Sequence, residues 1–157
     1  MRISVIAVGR ARTGPERALF DEFAGRLAWP MALVEVEERR PLPAAQKVRS
    51  EGELLRARVP KGALAVALDG RGKTLSSEEF ATRLGRWRDD GIDEIAFLIG
   101  GADGLDRAVI ESAALTLSLG AMTWPHFLVR GMLAEQLYRA ERILAGHPYH
   151  RPGPPPG

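Results

Sequence analysis

The sequence predicts a single α/β domain, residues 1–157, in which helices cover both faces of a mostly parallel β-sheet. Short apolar, β-branched segments alternate with longer amphipathic segments along the chain, which is the pattern of strands and crossover helices. Two of the predicted strands are followed at once by loops of glycine and other small residues. The 157 residues, 45% of them hydrophobic, are enough for one domain with a buried core.

The N-terminal half is predicted to contain three strands and two helices. Thr13 and Glu16 have the spacing of a capping box, and Pro15 suits the first turn of a helix, where its missing N–H costs little. The second helix has few apolar residues, so it is expected to lie at the surface. The predicted elements are strand Ile3–Val8, a helix from the capping box to Ala28, strand Met31–Glu37, helix Ala44–Arg58 and strand Leu64–Asp69, with Gly70–Lys73 as a loop.

The C-terminal half is predicted to contain two further strands and three helices. Ser76 and Glu79 again have capping-box spacing, at the start of a helix that ends near Gly91. A break at Gly120 separates the last strand from the last helix. The remaining predicted elements are strand Ile95–Ile99, helix Asp106–Ala114, strand Leu115–Leu119 and helix His126–Ala145.

Two groups of apolar residues on these helices have more than one interpretation. Phe80, Leu84 and Trp87 follow one another at helical spacing and are interpreted as core residues rather than as a base-stacking surface. Leu128 and Met132 form a second apolar edge on the last helix. This edge is either further core, which is the preferred interpretation, or a contact between subunits.

Two loops rich in small residues, Gly100–Gly104 and Gly120–Pro125, follow predicted buried strands. Right-handed crossovers place both loops, and the loop after Leu68, at the carboxyl edge of the sheet, where α/β proteins usually bind small molecules. The loops offer backbone N–H and C=O groups and apolar walls but almost no charge, which favours a purine over a triphosphate. The alternative for Gly100 and Gly101 is structural, a tight turn with positive φ.

Several common functional motifs are missing from the sequence. Gly100–Gly104 lacks the spacing of a dinucleotide-binding fingerprint, and neither a P-loop nor a nucleophile elbow occurs. His147 and His150 flank Pro148 outside the helix and lack zinc-protease spacing, so no metal site is expected. Cysteine is absent and no apolar run approaches the roughly 20 residues of a membrane span, which fits a cytoplasmic protein.

The basic charge of the chain is concentrated near the C-terminus. Residues 123–157 carry four arginines against two glutamates, which accounts for the whole net charge of +2. This bias permits a polyanionic partner, but it is equally compatible with the solvated end of a helix. The four arginines are Arg130, Arg139, Arg142 and Arg151.

Several segments are long and specific enough to compare with known families. They are Leu98–Leu105, Leu117–His126, Leu128–Arg130, Glu135–Ala140 and His147–Arg151, together with the opening Ile6–Gly9 and the strand end Leu68–Gly70. In their order and over nearly the whole chain, these segments resemble the ribosomal RNA large subunit methyltransferase H family.

The resemblance implies a SPOUT-class α/β fold with a C-terminal trefoil knot, and a homodimer. It also implies S-adenosylmethionine as the methyl donor and N3 of a pseudouridine in large-subunit (23S) ribosomal RNA as the acceptor, on the assembled ribosome. A small protein without an added RNA-binding domain fits an enzyme that recognises a preformed ribosomal surface. Neither DNA nor a membrane is expected as a partner.

The resemblance also implies roles for individual residues. Tyr149, His150 and Arg151 are expected to reach the RNA and the reacting base. The base that removes the N3 proton is expected to be His150 or His126, although His126 has the alternative of a helix-start residue bonded to backbone. Arg130 and Arg151 are expected to bind phosphates, because a guanidinium forms bidentate bonds. The implied cofactor-binding residues are Leu68, Gly101, Gly120, Ala121, Met122, Thr123, Trp124 and Pro125.

The chain departs from the family pattern in two places. Trp124 replaces a smaller apolar residue, and the chain continues beyond Arg151 with residues 152–157, which are expected to be disordered and to point away from the active site. Two other functions stay open on the sequence alone. One is a non-catalytic module that binds a nucleotide in the same pocket, and the other is a SPOUT enzyme that acts on tRNA.

Overall fold

The computed structural model describes residues 1–154, which form five strands alternating with five helices in the predicted order. Residues 152–154 are exposed and have no regular secondary structure, and the rest of the predicted disordered tail, residues 155–157, lies outside the described residues. The elements are β1 (Arg2–Val8), α1 (Pro15–Arg26), β2 (Met31–Val36), α2 (Ala44–Ala57), β3 (Leu64–Thr74), α3 (Ser77–Asp89), β4 (Glu94–Ile99), α4 (Arg107–Ser112), β5 (Leu115–Ser118) and α5 (His126–Leu144).

The strands form one parallel sheet in the order β2-β1-β4-β3-β5, which confirms the predicted α/β class. β1 lies inside the sheet, where Val5 is opposite Leu33 of β2 on one side and Phe97 of β4 on the other. Val5 and Phe97 are fully buried. Parallel strands covered on both faces consist of nearly continuous apolar residues, which is why these two strands were recognisable in the sequence.

Helices cover both faces of the sheet. On one face α5 packs against both α1 and α3 over the larger core cluster, and on the other α2 and α4 cover a smaller cluster that includes Leu55 and Val109. Phe80 and Leu84 are buried in the larger cluster and Trp87 packs against it, which confirms that these residues belong to the core. Within residues 1–154, no helix combines the length and the apolar character needed to cross a membrane. The trefoil knot stays a prediction.

The second apolar edge of α5 is not part of this core. Leu128 and Met132 are half-buried and belong to neither core cluster. The preferred interpretation of this edge as further core is therefore wrong for the single chain. Its exposure leaves the alternative, a contact between subunits.

Of the two predicted capping boxes, the one at α3 forms and the one at α1 does not. At α3, Glu79 N–H donates to Ser76 Oγ at 3.0 Å and Ser76 N–H donates to the Glu79 carboxylate at 2.7 Å, as predicted. At α1 the prediction is wrong, because the N-cap is Gly14 with φ +107° and no side chain caps the helix. Pro15 still occupies the first turn. The positive φ of Gly14 turns the chain into the helix without help from Thr13.

β3 is longer than predicted. Gly70–Lys73, expected to be a loop, belongs to an 11-residue strand that ends at Thr74. Leu68 and Lys73 both pair with Leu117, so the residues between them form a bulge. Glycine, aspartate and lysine are poor strand formers locally. Gly70–Lys73 belongs to a strand because it lies beside β5, and no local sequence pattern indicates that pairing.

Gly72→Ala is expected to lower the free energy of unfolding by about 1–3 kcal/mol, because the added Cβ would clash with the carbonyl oxygen of Thr116. That oxygen belongs to the β5 backbone, so the clash cannot be relieved by a side-chain rotation. Gly70→Ala is the matched control, since nothing lies within 4 Å of its added Cβ. Denaturant unfolding compares the two, and equal stabilities would contradict the close packing inferred at Gly72.

Candidate functional site

A cavity of about 250 Å³ lies at the carboxyl edge of the sheet, between the ends of β3, β4 and β5. We call it the edge cavity. Its position confirms the expectation that the loops after Leu68, Ile99 and Leu119 meet at one edge. Of the predicted cofactor-binding residues, only Pro125, the N-cap of α5, does not line it. Those that do are Leu68, Gly101, Gly120, Ala121, Met122, Thr123 and Trp124.

The loop after β4, Gly100–Gly104, closes on itself beside this cavity. Gly104 N–H donates to the carbonyl oxygen of Gly101 at 3.1 Å, and Gly104 has φ +83°. A Cβ on Gly100 would lie 2.7 Å from the Gly104 carbonyl oxygen. The tight turn considered from the sequence therefore exists, but the positive φ falls on Gly104, whereas Gly100 is needed for close backbone packing.

The loop after β5 is also held by its own contacts. Gly120 has φ +111°, and Ser118 Oγ both donates to its carbonyl oxygen at 3.1 Å and accepts from its N–H at 3.2 Å. The Trp124 indole N–H donates to the Leu119 carbonyl oxygen at 3.3 Å. Met122 is 75% exposed and Trp124 is 40% exposed. The loop therefore has an ordered backbone but presents apolar side chains that nothing in residues 1–154 covers.

Asp69 also lines the edge cavity and was missed from the sequence. Its carboxylate accepts from Arg71 Nε at 2.7 Å and from Arg71 Nη2 at 3.0 Å, and this guanidinium holds the pKa of Asp69 below its usual value. Arg71 Nη2 also donates to the Leu105 carbonyl oxygen at 3.0 Å, which ties β3 to the segment after β4. The available signal was an acidic residue at the carboxyl end of a predicted strand.

His126 begins α5 and lines the edge cavity. The alternative of a residue bonded to backbone at the helix start is not observed, because no side chain caps α5. The ring lies 4.3 Å from the Phe127 ring, centroid to centroid. Burial, and then the charge of Arg130, lower the pKa of His126 from its ordinary value of 6.5. The imidazole is therefore neutral at pH 7, with a ring nitrogen able to accept a proton.

Arg130 was predicted to bind an RNA phosphate, but its position in the structure does not allow this. Its side chain is 2% exposed, and Nη1 donates to Glu35 at 2.7 Å while Nη2 donates to the carbonyl oxygens of Val8 and Gly9 at 3.0 and 2.8 Å. A phosphate cannot reach a guanidinium that is enclosed and bonded in this way. Arg130 is buried because Nη1 and Nη2 tie α5 to the ends of β1 and β2. Its Nε is buried as well and has no hydrogen-bond partner within residues 1–154.

Glu35 completes this buried connection. It accepts from the Ala11 backbone N–H at 2.7 Å as well as from Arg130. Burial acts to raise the pKa of Glu35, but the bonds from Ala11 and Arg130 outweigh it and keep that pKa below its ordinary value. The ion pair thus fixes the loop after β1 against the start of α5.

The C-terminal tail, residues 147–151, does not line the edge cavity. The Tyr149 hydroxyl donates to Glu135 at 3.1 Å, and burial followed by Glu135 raises the pKa of Tyr149. His150 Nε2 lies 2.7 Å from Glu78 Oε1, and its Nδ1 lies 3.2 Å from Arg139 Nη1. The predicted catalytic residues therefore divide into two places in one chain, with His126 at the cavity and the tail on α3 and α5.

The other predicted basic residues differ in their exposure. Arg151 is exposed and forms no ion pair within residues 1–154, so it is free to bind a phosphate. Arg139 is half-buried and pairs with Glu135 at 2.6 Å, and half-buried Arg142 pairs with Glu141 at 2.7 Å. Both side chains remain about a quarter exposed, so the interpretation of a solvated face stays open for these two arginines.

A second, larger cavity of about 440 Å³ lies between α1, α5 and the start of α3. We call it the interhelix cavity. Met132 and Glu135 line it, and Leu119 and Gly120 line both cavities. Since Glu135 also binds Tyr149, the tail borders the interhelix cavity rather than the edge cavity.

Comparison with known proteins shows which family this chain resembles. A family model described as "Predicted SPOUT methyltransferase" matches residues 1–150. A protein of Rhodospirillum centenum named ribosomal RNA large subunit methyltransferase H is 60% identical over 151 residues, which cover 96% of this chain and 99% of that protein.

Two solved structures share the fold. One is described as a probable methyltransferase from Bordetella pertussis, with a TM-score of 0.59 and 21% identity over 88% of this chain and 95% of that one. The other, from Legionella pneumophila, was solved in complex with the bound cofactor SAM and has a TM-score of 0.50 and 16% identity over 89% of this chain and 66% of that one. At these identities the likeness establishes the fold, which is that of SPOUT proteins.

Proposed function

This chain belongs to the SPOUT methyltransferase family, and we propose that it transfers a methyl group from S-adenosylmethionine to large-subunit ribosomal RNA. The observation that carries the proposal is the edge cavity, where the loop Gly120–Trp124 and His126 meet. The name of the relative at 60% identity supports ribosomal RNA as the substrate. The finer proposal is that the acceptor is N3 of a pseudouridine on the assembled ribosome and that the enzyme works in the cytoplasm.

The residues of the edge cavity fit such a cofactor. Apolar side chains such as Leu68 and Leu117 can enclose an adenine, and the main chain of the two loops supplies donors and acceptors for its edge. Among the described residues that line the cavity there is no lysine or arginine, and S-adenosylmethionine carries net positive charge. The volume of about 250 Å³ is slightly below that of sites that enclose whole cofactors, so part of the bound cofactor would stay accessible to the RNA.

Methyl transfer to N3 requires the protein to position the acceptor base and to remove its proton. When bound, S-adenosylmethionine supplies an electrophilic methyl group on its sulfonium. The chain must hold the acceptor base in line with that group, and positioning of this kind can lower a barrier by about 7–11 kcal/mol. It must also take up the proton of N3–H. We assign this proton to a ring nitrogen of His126, because that ring is neutral at pH 7 and the residue lines the cavity.

A homodimer would bring the tail to the cavity. In one chain Tyr149 and His150 are bound to Glu135 and Glu78 and do not line the edge cavity. Leu128 and Met132 form an apolar edge outside the core, and the interhelix cavity lies beside Met132. We propose that a second copy covers this face and supplies the tail, whose exposed Arg151 would bind an RNA phosphate.

The activity is tested with purified protein and isotopically labelled S-adenosylmethionine. The substrates are 70S ribosomes, free 23S RNA and tRNA, all from cells that lack the corresponding gene. We expect methylation of ribosomes only, and mass spectrometry of nuclease fragments should place the methyl group on N3 of one pseudouridine. Methylation of tRNA alone, or cofactor binding without transfer to any of the RNAs, would refute this function.

The shared site is tested by mixing two defective chains in one dimer. Ala121→Arg fills the edge cavity, and His150→Ala with Arg151→Ala removes the tail groups. Each homodimer is expected to be inactive, whereas the heterodimer regains activity, because it contains one intact cavity facing one intact tail. An inactive heterodimer would mean that cavity and tail act within a single chain. Sedimentation of the wild-type protein as a monomer would exclude the dimer.

A further inference from the structure

Glu51 is a buried carboxylate that the mechanism above does not use. It lies on α2 and is 5% exposed, and within residues 1–154 it forms neither a hydrogen bond nor an ion pair through its side chain. The carboxylate oxygens are not among the fully enclosed side-chain atoms of residues 1–154 that lack a hydrogen-bond partner, so they keep contact with solvent. Burial raises the pKa of Glu51, and the nearby charges of Asp103 and Glu38 raise it further against the opposing effect of Lys47. No hydrogen bond or ion pair within residues 1–154 therefore explains why a carboxylate lies at this position.

The carboxylate of Glu51 lies directly behind the wall of the edge cavity. A Cβ built on Gly101 would lie 2.9 Å from Glu51 Oε2, so the carboxylate oxygen nearly touches the Gly101 backbone. Gly101 itself lines the cavity. Only one residue of backbone therefore separates the Glu51 charge from a ligand in the cavity. Any larger residue at position 101 would displace the carboxylate.

The other acidic side chains near the edge cavity are either paired with an arginine or exposed to solvent. Asp69 lines the cavity, but the Arg71 guanidinium pairs with both of its oxygens. Asp103 belongs to the loop after β4 and is exposed, so water screens its charge. Among the described residues, Glu51 is therefore the acidic residue at this wall that is largely buried and forms no ion pair, although Lys47 is near enough to influence its charge.

We propose that Glu51 is a specificity-determining residue whose carboxylate makes the edge cavity prefer a cationic methyl donor over its neutral-sulfur product. The inference rests on the proposed function. It gives a role in donor binding to a residue that contacts neither the donor nor the RNA. Methyl transfer turns a sulfonium into a thioether, so the ligand loses one positive charge during the reaction. A negative charge behind the wall stabilises the ligand before that step and not after it, because opposite charges attract more strongly beside the protein than in bulk water. The same residue therefore promotes donor binding and product release.

The experiment is calorimetric titration of the full-length protein with S-adenosylmethionine and, separately, with S-adenosylhomocysteine. Glu51→Gln keeps the shape of the side chain and removes its charge. We expect the variant to bind S-adenosylmethionine about tenfold more weakly, as for the loss of one partly screened charge interaction, and to bind S-adenosylhomocysteine as the wild type does. Glu53→Gln, an exposed position on the same helix, is the matched control and should leave both affinities unchanged.

Two outcomes would overturn the inference alone. If both ligands lose affinity equally, Glu51 only holds the loop in place, and if neither does, its charge is irrelevant to binding. If the wild-type protein binds neither ligand, the proposed function fails and the inference fails with it. Thermal unfolding without ligand checks the fold of Glu51→Gln, which should unfold at the wild-type temperature or above, because an unpaired buried charge has been removed.

Discussion

Arg130→Ala is expected to lower the free energy of unfolding by about 3 kcal/mol, because removal of one partner leaves the other charge of a buried pair uncompensated. The group left without its partner is Glu35, whose side chain is 15% exposed. The variant also loses the bonds to the Val8 and Gly9 carbonyl oxygens and the packing of the guanidinium 4.7 Å from the Phe127 ring centroid. Calorimetry at a fixed protein concentration should show a melting temperature lower by roughly 6–12 °C.

Arg107→Ala is the matched control for this prediction. Arg107 pairs with Glu111 on α4, but both side chains are largely exposed, at 87% and 65%. Its loss is expected to cost less than about 0.5 kcal/mol. Adding Glu35→Gln to Arg130→Ala should restore part of the lost stability, because glutamine is uncharged and can still accept from Ala11. Equal effects of Arg130→Ala and Arg107→Ala would show that the buried pair does not hold α5 to the sheet.

His126→Gln is expected to reduce methyl transfer to ribosomes by about 10²–10⁴-fold, the usual contribution of a general base. Glutamine has a polar side chain but cannot take up the N3 proton at neutral pH. Because the base accepts the proton and does not hold the donor, the affinity for S-adenosylmethionine should change little. Single-turnover kinetics and calorimetric titration measure the two quantities separately.

The pH dependence provides an independent test of this assignment. The base must be unprotonated, so kcat/KM of the wild type should rise with pH through the pKa of His126 and then level off. Burial and Arg130 lower that pKa, so the rise should occur below the usual histidine value of 6.5. His126→Gln should lack this rise. If His150→Gln abolishes it instead, the tail histidine is the base and the assignment to His126 is wrong.

Most of the fold was predictable because its signals are local. The strands β1 and β4 are continuous apolar segments, and the helices α3 and α5 have apolar residues at helical spacing, so their bounds agree with prediction to within about two residues. The errors occurred where a distant part of the chain decides the outcome. The bulge of β3 depends on pairing with Leu117, and the exposure of Met132 depends on which helices flank α5.

The candidate site was predictable in part for the same reason. Gly120–Trp124 could be identified from the composition of a loop after a strand, and parallel topology alone brings it beside Gly101. Arg130 could not be placed, because an arginine on a helix has no local signal that separates a phosphate ligand from a buried partner of Glu35. The family resemblance assigned roles to these residues, but it does not describe their surroundings in this chain.

Local signals in the sequence are sufficient to predict the order and type of the elements, the α/β class and the residues of the loop Gly120–Trp124. These properties depend on the periodicity of apolar side chains and on turn-forming residues, which act over a few positions. The folded chain was needed to show that Arg130 is buried against Glu35, that Glu51 lies behind Gly101, and that the tail does not line the edge cavity. Burial and charge pairing depend on residues far apart in the chain, so they are set when the layers pack together.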